Sequence, residues 1–174
     1  MHVFGYGSLT NDARGRPCRL RGHRRCWDVA MDNRETIPGY KVYVDPETGE
    51  QPPVHVAYLA LCPDPPAHVS GVALEVTADE LAALDRRERN YDRRDVSDVL
   101  DAELDGPVWA YVGSAAGRQR LAVGRTNGTA VVSAGYLEDV RRGFDALGLL
   151  DDFEATTDPL DLPVVPLLRR DVRA

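Results

Sequence analysis

The chain has 174 residues, 43% of them hydrophobic, which is the size and composition of one ordinary domain with a single buried core. Its 21 Lys and Arg stand against 28 Asp and Glu, and the resulting formal charge of -7 repels a phosphate backbone, so nucleic acid is excluded as the expected partner. Three cysteines and four histidines show no C-x-x-C, H-x-H or H-E-x-x-H spacing, so neither a metal nor a disulfide framework is expected and Cys18, Cys26 and Cys62 read as reduced thiols.

In chain order, the apolar run His2 to Gly5 reads as a strand directly after Met1. No signal-type leader precedes it and no apolar run reaches membrane-spanning length, so a cytoplasmic address without membrane contact is expected. Arg14, Arg16, Arg19, Arg21, Arg24 and Arg25 follow; charge runs of this kind read as a solvated strand and loop surface, with an acidic substrate or partner as the alternative. Cys26 to Met31, Lys41 to Val44, Val54 to Leu61, Val69 to Val76, Asp92 to Val99 and Val108 to Val112 read as further strands, and Asp45-Pro46-Glu47-Thr48-Gly49 as a turn. Strands outnumber helices, which predicts a curved or closed sheet.

Two segments carry helical periodicity. Thr77-Ala78-Asp79-Glu80 is a capping box that opens a helix from Ala78 to about Glu88. Ser133 caps a second helix whose stripe, Leu137, Val140, Phe144 and Leu147, ends at Gly148 and reads as a packing face. The expected organisation is one domain over residues 1–150, with residues 151–174, rich in Pro159, Pro163 and Pro166, as an extended tail on or trailing from it.

On the first helix the apolar positions are Leu81 and Leu84, and 3.6 residues per turn places Glu88 about 20° from Leu81 in projection. Glu88 therefore points to the core side, where a carboxylate costs several kcal/mol unless paired or protonated. Two readings stand: an ion pair with Arg93 or Arg94, or a general acid/base, with Asp85 at the flank of the same face as the runner-up. Phe4-Gly5-Tyr6-Gly7-Ser8-Leu9 closes the first strand with two glycines, whose positive φ would let backbone N–H groups of Tyr6 to Leu9 face a carboxylate or developing oxyanion. It lacks the Lys of a phosphate loop and the third glycine of a dinucleotide site.

Together, Phe4-Gly5-Tyr6-Gly7-Ser8-Leu9, the segment Leu84-Asp85-Arg86-Arg87-Glu88-Arg89-Asn90-Tyr91-Asp92-Arg93 and the strand Val108-Trp109-Ala110-Tyr111-Val112 resemble the γ-glutamylcyclotransferase-like family, from about His2 to Gly148. The resemblance implies an α+β fold, a small mixed domain with a curved, barrel-like β-sheet flanked by a few helices. It also implies that Tyr6, Gly7, Ser8 and Leu9 hold a γ-glutamyl group through backbone atoms, that Glu88 is the catalytic acid/base, and that Tyr111 lines the pocket with Tyr91 as its competitor. The implied substrate is a small γ-glutamyl compound that cyclises to 5-oxoproline and expels an amine, with no cofactor. Within the resemblance, removal of a γ-glutamyl cap from a metabolite amine, a glutathione-specific activity and a non-catalytic binding member are the alternatives. A Cys26 nucleophile with His23 as base is disfavoured, because a spacing of three puts the two side chains on opposite faces of a strand.

Overall fold

A computed structural model describes residues 1–173. It is α+β, as expected, with helices packed around one large sheet. The strands are β1 (His2–Gly5), β2 (Arg16–Asp32), β3 (Lys41–Val44), β4 (His55–Glu75), β5 (Tyr91–Asp95), β6 (Val108–Gly113), β7 (Ala130–Ser133), β8 (Val164–Val165) and β9 (Leu168–Asp171). The helices are α1 (Ala78–Arg87), α2 (Ala115–Thr126), α3 (Ala134–Ala146) and α4 (Leu150–Ala155). None of them is long and apolar enough to cross a membrane.

Seven strands form one sheet in the order β5-β6-β1-β4-β7-β8, with β2 also paired to β4, while β3 and β9 form a separate two-stranded sheet. β4 determines the curvature. Its two predicted halves are one strand that pairs with β2 along its length, while its other edge serves β7 at His55 and Val56 and β1 from Val72 to Glu75. The register shifts in its ladder with β2, between Arg21 and His23 and between Trp27 and Val29, are irregularities of the kind that bend a strand. Pro65 and Pro66, which separated the halves in sequence, fall where Asp64 to Ala67 stand opposite Gly22 in an irregularity of the ladder, so their missing N–H groups are not needed there.

That irregularity overturns one expectation. Leu20 and Arg25 are both fully buried, an odd spacing that strict alternation forbids and the register shift between Arg21 and His23 permits. Arg25 is therefore a core residue and not part of a solvated face. A second correction concerns the thiols: Cys26 and Cys62 are joined in a disulfide, with Cα atoms 6.0 Å apart. Their 36-residue separation hid the pair, which the β2–β4 register brings together; Cys18 remains free.

Three smaller differences follow from packing. The strand predicted over Asp92 to Val99 ends at Asp95, where Ser97–Val99 turns into a 3-10 helix. α2 was not predicted, since its buried face consists of Gly117, Leu121 and Gly124, which gives almost no hydrophobic stripe. The segment after Gly148, read as extended, carries α4 and two short strands that pair with β7 and β3.

Candidate active site

The capping box forms as the sequence predicts: the Thr77 hydroxyl accepts from the Glu80 backbone N–H while the Glu80 carboxylate accepts from that of Thr77. α1 then runs to Arg87 with Leu81 buried beneath it. Glu88 leaves the helix at φ -88°, ψ 52°, its N–H still donating to the Leu84 carbonyl at 2.8 Å. The chain turns at once, with the Tyr91 N–H donating to the Glu88 carbonyl at 3.0 Å, and enters β5. This tight exit presents the Glu88 carboxylate to a cavity at the end of β1.

The opposite wall of that cavity is the loop Gly5 to Leu9. Its positive-φ expectation is not met: Gly7 sits at φ -139°, and neither Gly5 nor Gly7 is among the left-handed glycines. What requires glycine is closeness. A Cβ at Gly5 would lie 2.6 Å from the Leu9 Cβ, because Ser8–Asn11 coils back as a 3-10 helix onto the strand end. In this conformation the N–H groups of Gly7, Ser8 and Leu9 find no acceptor among the described residues, and all three residues border the cavity.

Scaffolding behind the loop is extensive. The buried Arg25 donates from Nε to the Tyr6 carbonyl at 2.9 Å, from Nη1 to the Thr156 hydroxyl at 2.7 Å and from Nη2 to the Ser70 carbonyl. Its guanidinium lies 4.5 Å from the ring centroid of Phe144 and 5.1 Å from that of Phe153. Burial lowers its pKa to about 10, with Asp152 and then Tyr6 opposing the shift. Thr10 donates to the Gly7 carbonyl at 2.7 Å, and Asn11 donates to the Asp139 carbonyl of α3 at 2.8 Å.

Four tyrosines complete the walls. Tyr6 donates to the Tyr111 carbonyl, Tyr91 donates to the Leu59 carbonyl at 2.7 Å, and the Tyr136 hydroxyl accepts from the Leu59 N–H at 3.3 Å. Tyr111 donates to Asp85 at 2.7 Å. Burial is the largest cause that raises all four phenols above their ordinary range, and the Glu88 carboxylate adds to each. All four are thus neutral hydroxyls near pH 7, and Glu88 is the single carboxylate among the described residues that lines the cavity.

Of the sequence candidates, Tyr6, Gly7, Ser8, Leu9, Glu88, Tyr91 and Tyr111 all border this one space. Glu88 pairs with neither Arg93 nor Arg94; its partner is Arg87, at 2.8 Å. Arg93 belongs to Asp85, the runner-up carboxylate, which is committed to Arg93 and Tyr111 at once. Sequence reasoning missed Tyr136, one position off the predicted α3 stripe, and Arg25. Metal-ligating atoms converge at Cys26, Asp28 and Cys62, within 4.8 Å of one another, but sulfurs joined in a disulfide are not thiolate ligands.

Comparison with known proteins bears on the family and the fold. The family model described as "Gamma-glutamyl cyclotransferase, AIG2-like" matches residues 3–129. A solved structure named gamma-glutamyl cyclotransferase is similar at 14% identity and a TM-score of 0.54, covering 95% of this chain and 93% of that one. The uncharacterized protein loc79017 from Homo sapiens is similar at 17% identity and a TM-score of 0.54, over 95% and 92% of the two chains. YkqA from Bacillus subtilis gives 13% and 0.54, over 91% and 56%. At such identities the likeness to these structures is one of fold. No curated protein matches in sequence. The family model, however, spans most of the chain and contains both the glycine loop and Glu88, and this chain belongs to the AIG2-like gamma-glutamyl cyclotransferase family.

Proposed function

We propose that the chain cyclises a γ-glutamyl amide to 5-oxoproline and releases an amine, with Glu88 as the acid/base. The observation that carries this reading is the convergence, in one cavity, of a lone carboxylate and three unpaired backbone N–H groups. The α-amine of the γ-glutamyl group attacks its own side-chain carbonyl; a C–N bond forms, the amide C–N bond breaks, and the two protons that the α-ammonium gives up in becoming the lactam N–H pass to the departing nitrogen, which leaves as an ammonium. Glu88 carries them one at a time, deprotonating the nucleophile before attack and protonating the leaving nitrogen as the amide bond breaks. The N–H groups of Gly7, Ser8 and Leu9 receive the oxyanion between the two steps, a placement that costs no reorganisation because Arg25, Thr10 and Asn11 already fix the loop.

The nucleophile is tethered, so much of the catalysis is selection of the folded conformer, an effect that reaches roughly 7–11 kcal/mol in ideal intramolecular reactions. The tyrosine walls suit that task, being rigid and uncharged. The test is a panel of γ-glutamyl peptides, γ-glutamyl amines and glutathione scored for 5-oxoproline. Release from at least one of them is expected; a protein that binds members of the panel and releases none is a binding member of the family and ends this reading.

A further inference from the structure

Glu88 borders a second compartment, on the side away from Phe4 and Gly5. Ser8, Glu88, Tyr91 and Tyr136 are common to both spaces, and the second adds Lys41, Arg87 and Arg169. If the glutamyl group lies against the glycine loop, the departing amine fragment extends into this second space.

Its charge is distinctive. The Lys41 ammonium is packed 4.4 Å from the ring centroid of Tyr58 and 5.5 Å from that of Tyr40, and it makes no ion pair or hydrogen bond among the described residues. Lys41, Tyr40, Arg87 and Arg169 also line the surface groove into which the compartment opens, where Arg86 and Arg89 join them. Arg87 is paired with Glu88 and Arg169 with Asp171, but Lys41, Arg86 and Arg89 have no carboxylate partner among the described residues. In a chain of net charge -7, three cations without a carboxylate partner at one opening attract an anionic occupant. One carboxylate reaching Lys41 leaves Arg86 and Arg89 still free, so the occupant that neutralises the set carries more than one.

We propose that this compartment and its lip form a subsite for an acidic amine fragment, with Lys41 taking a carboxylate near the scissile nitrogen and Arg86 and Arg89 taking a second one further out. The proposal rests on the cyclotransferase reading and narrows it to γ-glutamyl compounds whose leaving amine bears two or more carboxylates.

Three substrates test it: γ-glutamyl-ethylamine, γ-glutamyl-alanine and γ-glutamyl-glutamate, which differ by none, one and two carboxylates on the leaving fragment. The first carboxylate meets an enclosed cation and should raise kcat/KM about tenfold or more, whereas the second, at an exposed lip, should add roughly threefold. Lys41→Met should abolish the first step, and Lys41→Arg should keep it. Equal turnover of the first two substrates, or a step that survives in Lys41→Met, overturns the proposal. If none of the three releases 5-oxoproline, the cyclotransferase reading fails for them, and calorimetric binding of the same compounds decides the subsite alone. Affinity that rises with carboxylate number and flattens in Lys41→Met upholds it, and affinity indifferent to that number overturns it. Melting of each variant checks that the loss is local.

Discussion

The loop from Gly5 to Asn11 and the turn from Asp85 to Tyr91 face each other across one cavity, and the groups each presents to it are held in different ways. The loop is anchored from behind by buried groups: Arg25 on the Tyr6 carbonyl, Thr10 on the Gly7 carbonyl, Asn11 on α3. The turn is anchored at its far end by the buried Asn90, whose carbonyl accepts from Ser114 and whose side-chain oxygen accepts from Arg120, and by Tyr91 on the Leu59 carbonyl, but its Glu88 carboxylate is held only by an ion pair that water reaches, with Arg87. Surface pairs of that kind contribute about 0–1 kcal/mol, while breaking a buried charged network costs about 3–5 kcal/mol. The oxyanion side is thus preorganised, and the Glu88 side chain, whose one partner is a water-accessible arginine, keeps freedom to move. An acid/base that takes a proton from one nitrogen and delivers it to another needs that freedom; a set of N–H donors waiting for an oxyanion does not.

Glu88→Gln gives the largest effect. The amide keeps shape and polarity but cannot shuttle a proton, so kcat should fall by the 10²–10⁴ typical of losing such a group, with substrate still bound. Stability should change by less than about 1 kcal/mol, since only the accessible pair with Arg87 is lost. A mutant that turns over normally removes Glu88 from the mechanism. Asp85 would then be the next candidate despite its commitment to Arg93 and Tyr111.

Arg25→Met breaks the other side of the comparison. Removing the guanidinium strands the Tyr6 and Ser70 carbonyls and the Thr156 hydroxyl, at a cost of about 3–5 kcal/mol, or roughly 6–20 °C in Tm for a domain of this length. In whatever fraction stays folded, KM should rise because the loop has lost its anchor. An unchanged melting curve would mean that the loop holds itself.

Two glycine substitutions sharpen the contrast within the loop. Gly5→Ala drives a Cβ to 2.6 Å from the Leu9 Cβ, so it should destabilise by about 1–3 kcal/mol. At Gly7 a Cβ meets only the Tyr136 hydroxyl, at 3.5 Å, and φ is negative, so Gly7→Ala should melt near the wild type and act on KM by intruding on the cavity. Melting and steady-state kinetics on both variants should therefore separate along opposite axes. Identical behaviour would deny that one glycine serves packing and the other serves binding.

The legibility of these features in the sequence follows the same division. Helical periodicity placed Leu81 on the buried side of the well-capped α1, but Glu88 lies one residue past the helix and reaches the cavity through the turn that follows, not through the helix's own period. The G-x-G pattern located the loop, but the reason for glycine there was misread as positive φ: steric closeness to Leu9 depends on the 3-10 turn that follows, and local sequence does not reveal it. Arg25 was hidden by the register shift at Gly22, which turns a run of apparently exposed arginines inward at one position. The Cys26–Cys62 bond was hidden for a related reason, since both cysteines owe their proximity to the pairing of two strands that are distant in sequence. Features set by one element's own period were readable; those set by how two elements register against each other were not.

The smallest expected effect concerns Lys41 and stability. Glu88 and Arg87 at the end of α1, Arg169 and Asp171 on β9, Arg89, and the rings of Tyr40 and Tyr58 surround its ammonium. Burial is the largest influence and lowers its pKa from 10.5 to about 8, with Glu88 opposing. A lysine with a depressed folded pKa binds its proton less well in the native state than in the unfolded one, so it costs stability in full below pH 8. Between pH 8 and 10.5 the unfolded chain holds the extra proton, and the cost fades as pH rises through that window. Lys41→Met keeps the apolar stem and has no proton to lose. Its Tm should therefore exceed that of the wild type at pH 7, and the difference should shrink as the pH approaches 10.5. The raised tyrosine pKa values around the cavity are common to both proteins and cancel in the difference. A Tm difference that stays constant with pH would show that the ammonium is solvated in the native state, and would weaken the case for Lys41 as an enclosed cation awaiting a carboxylate.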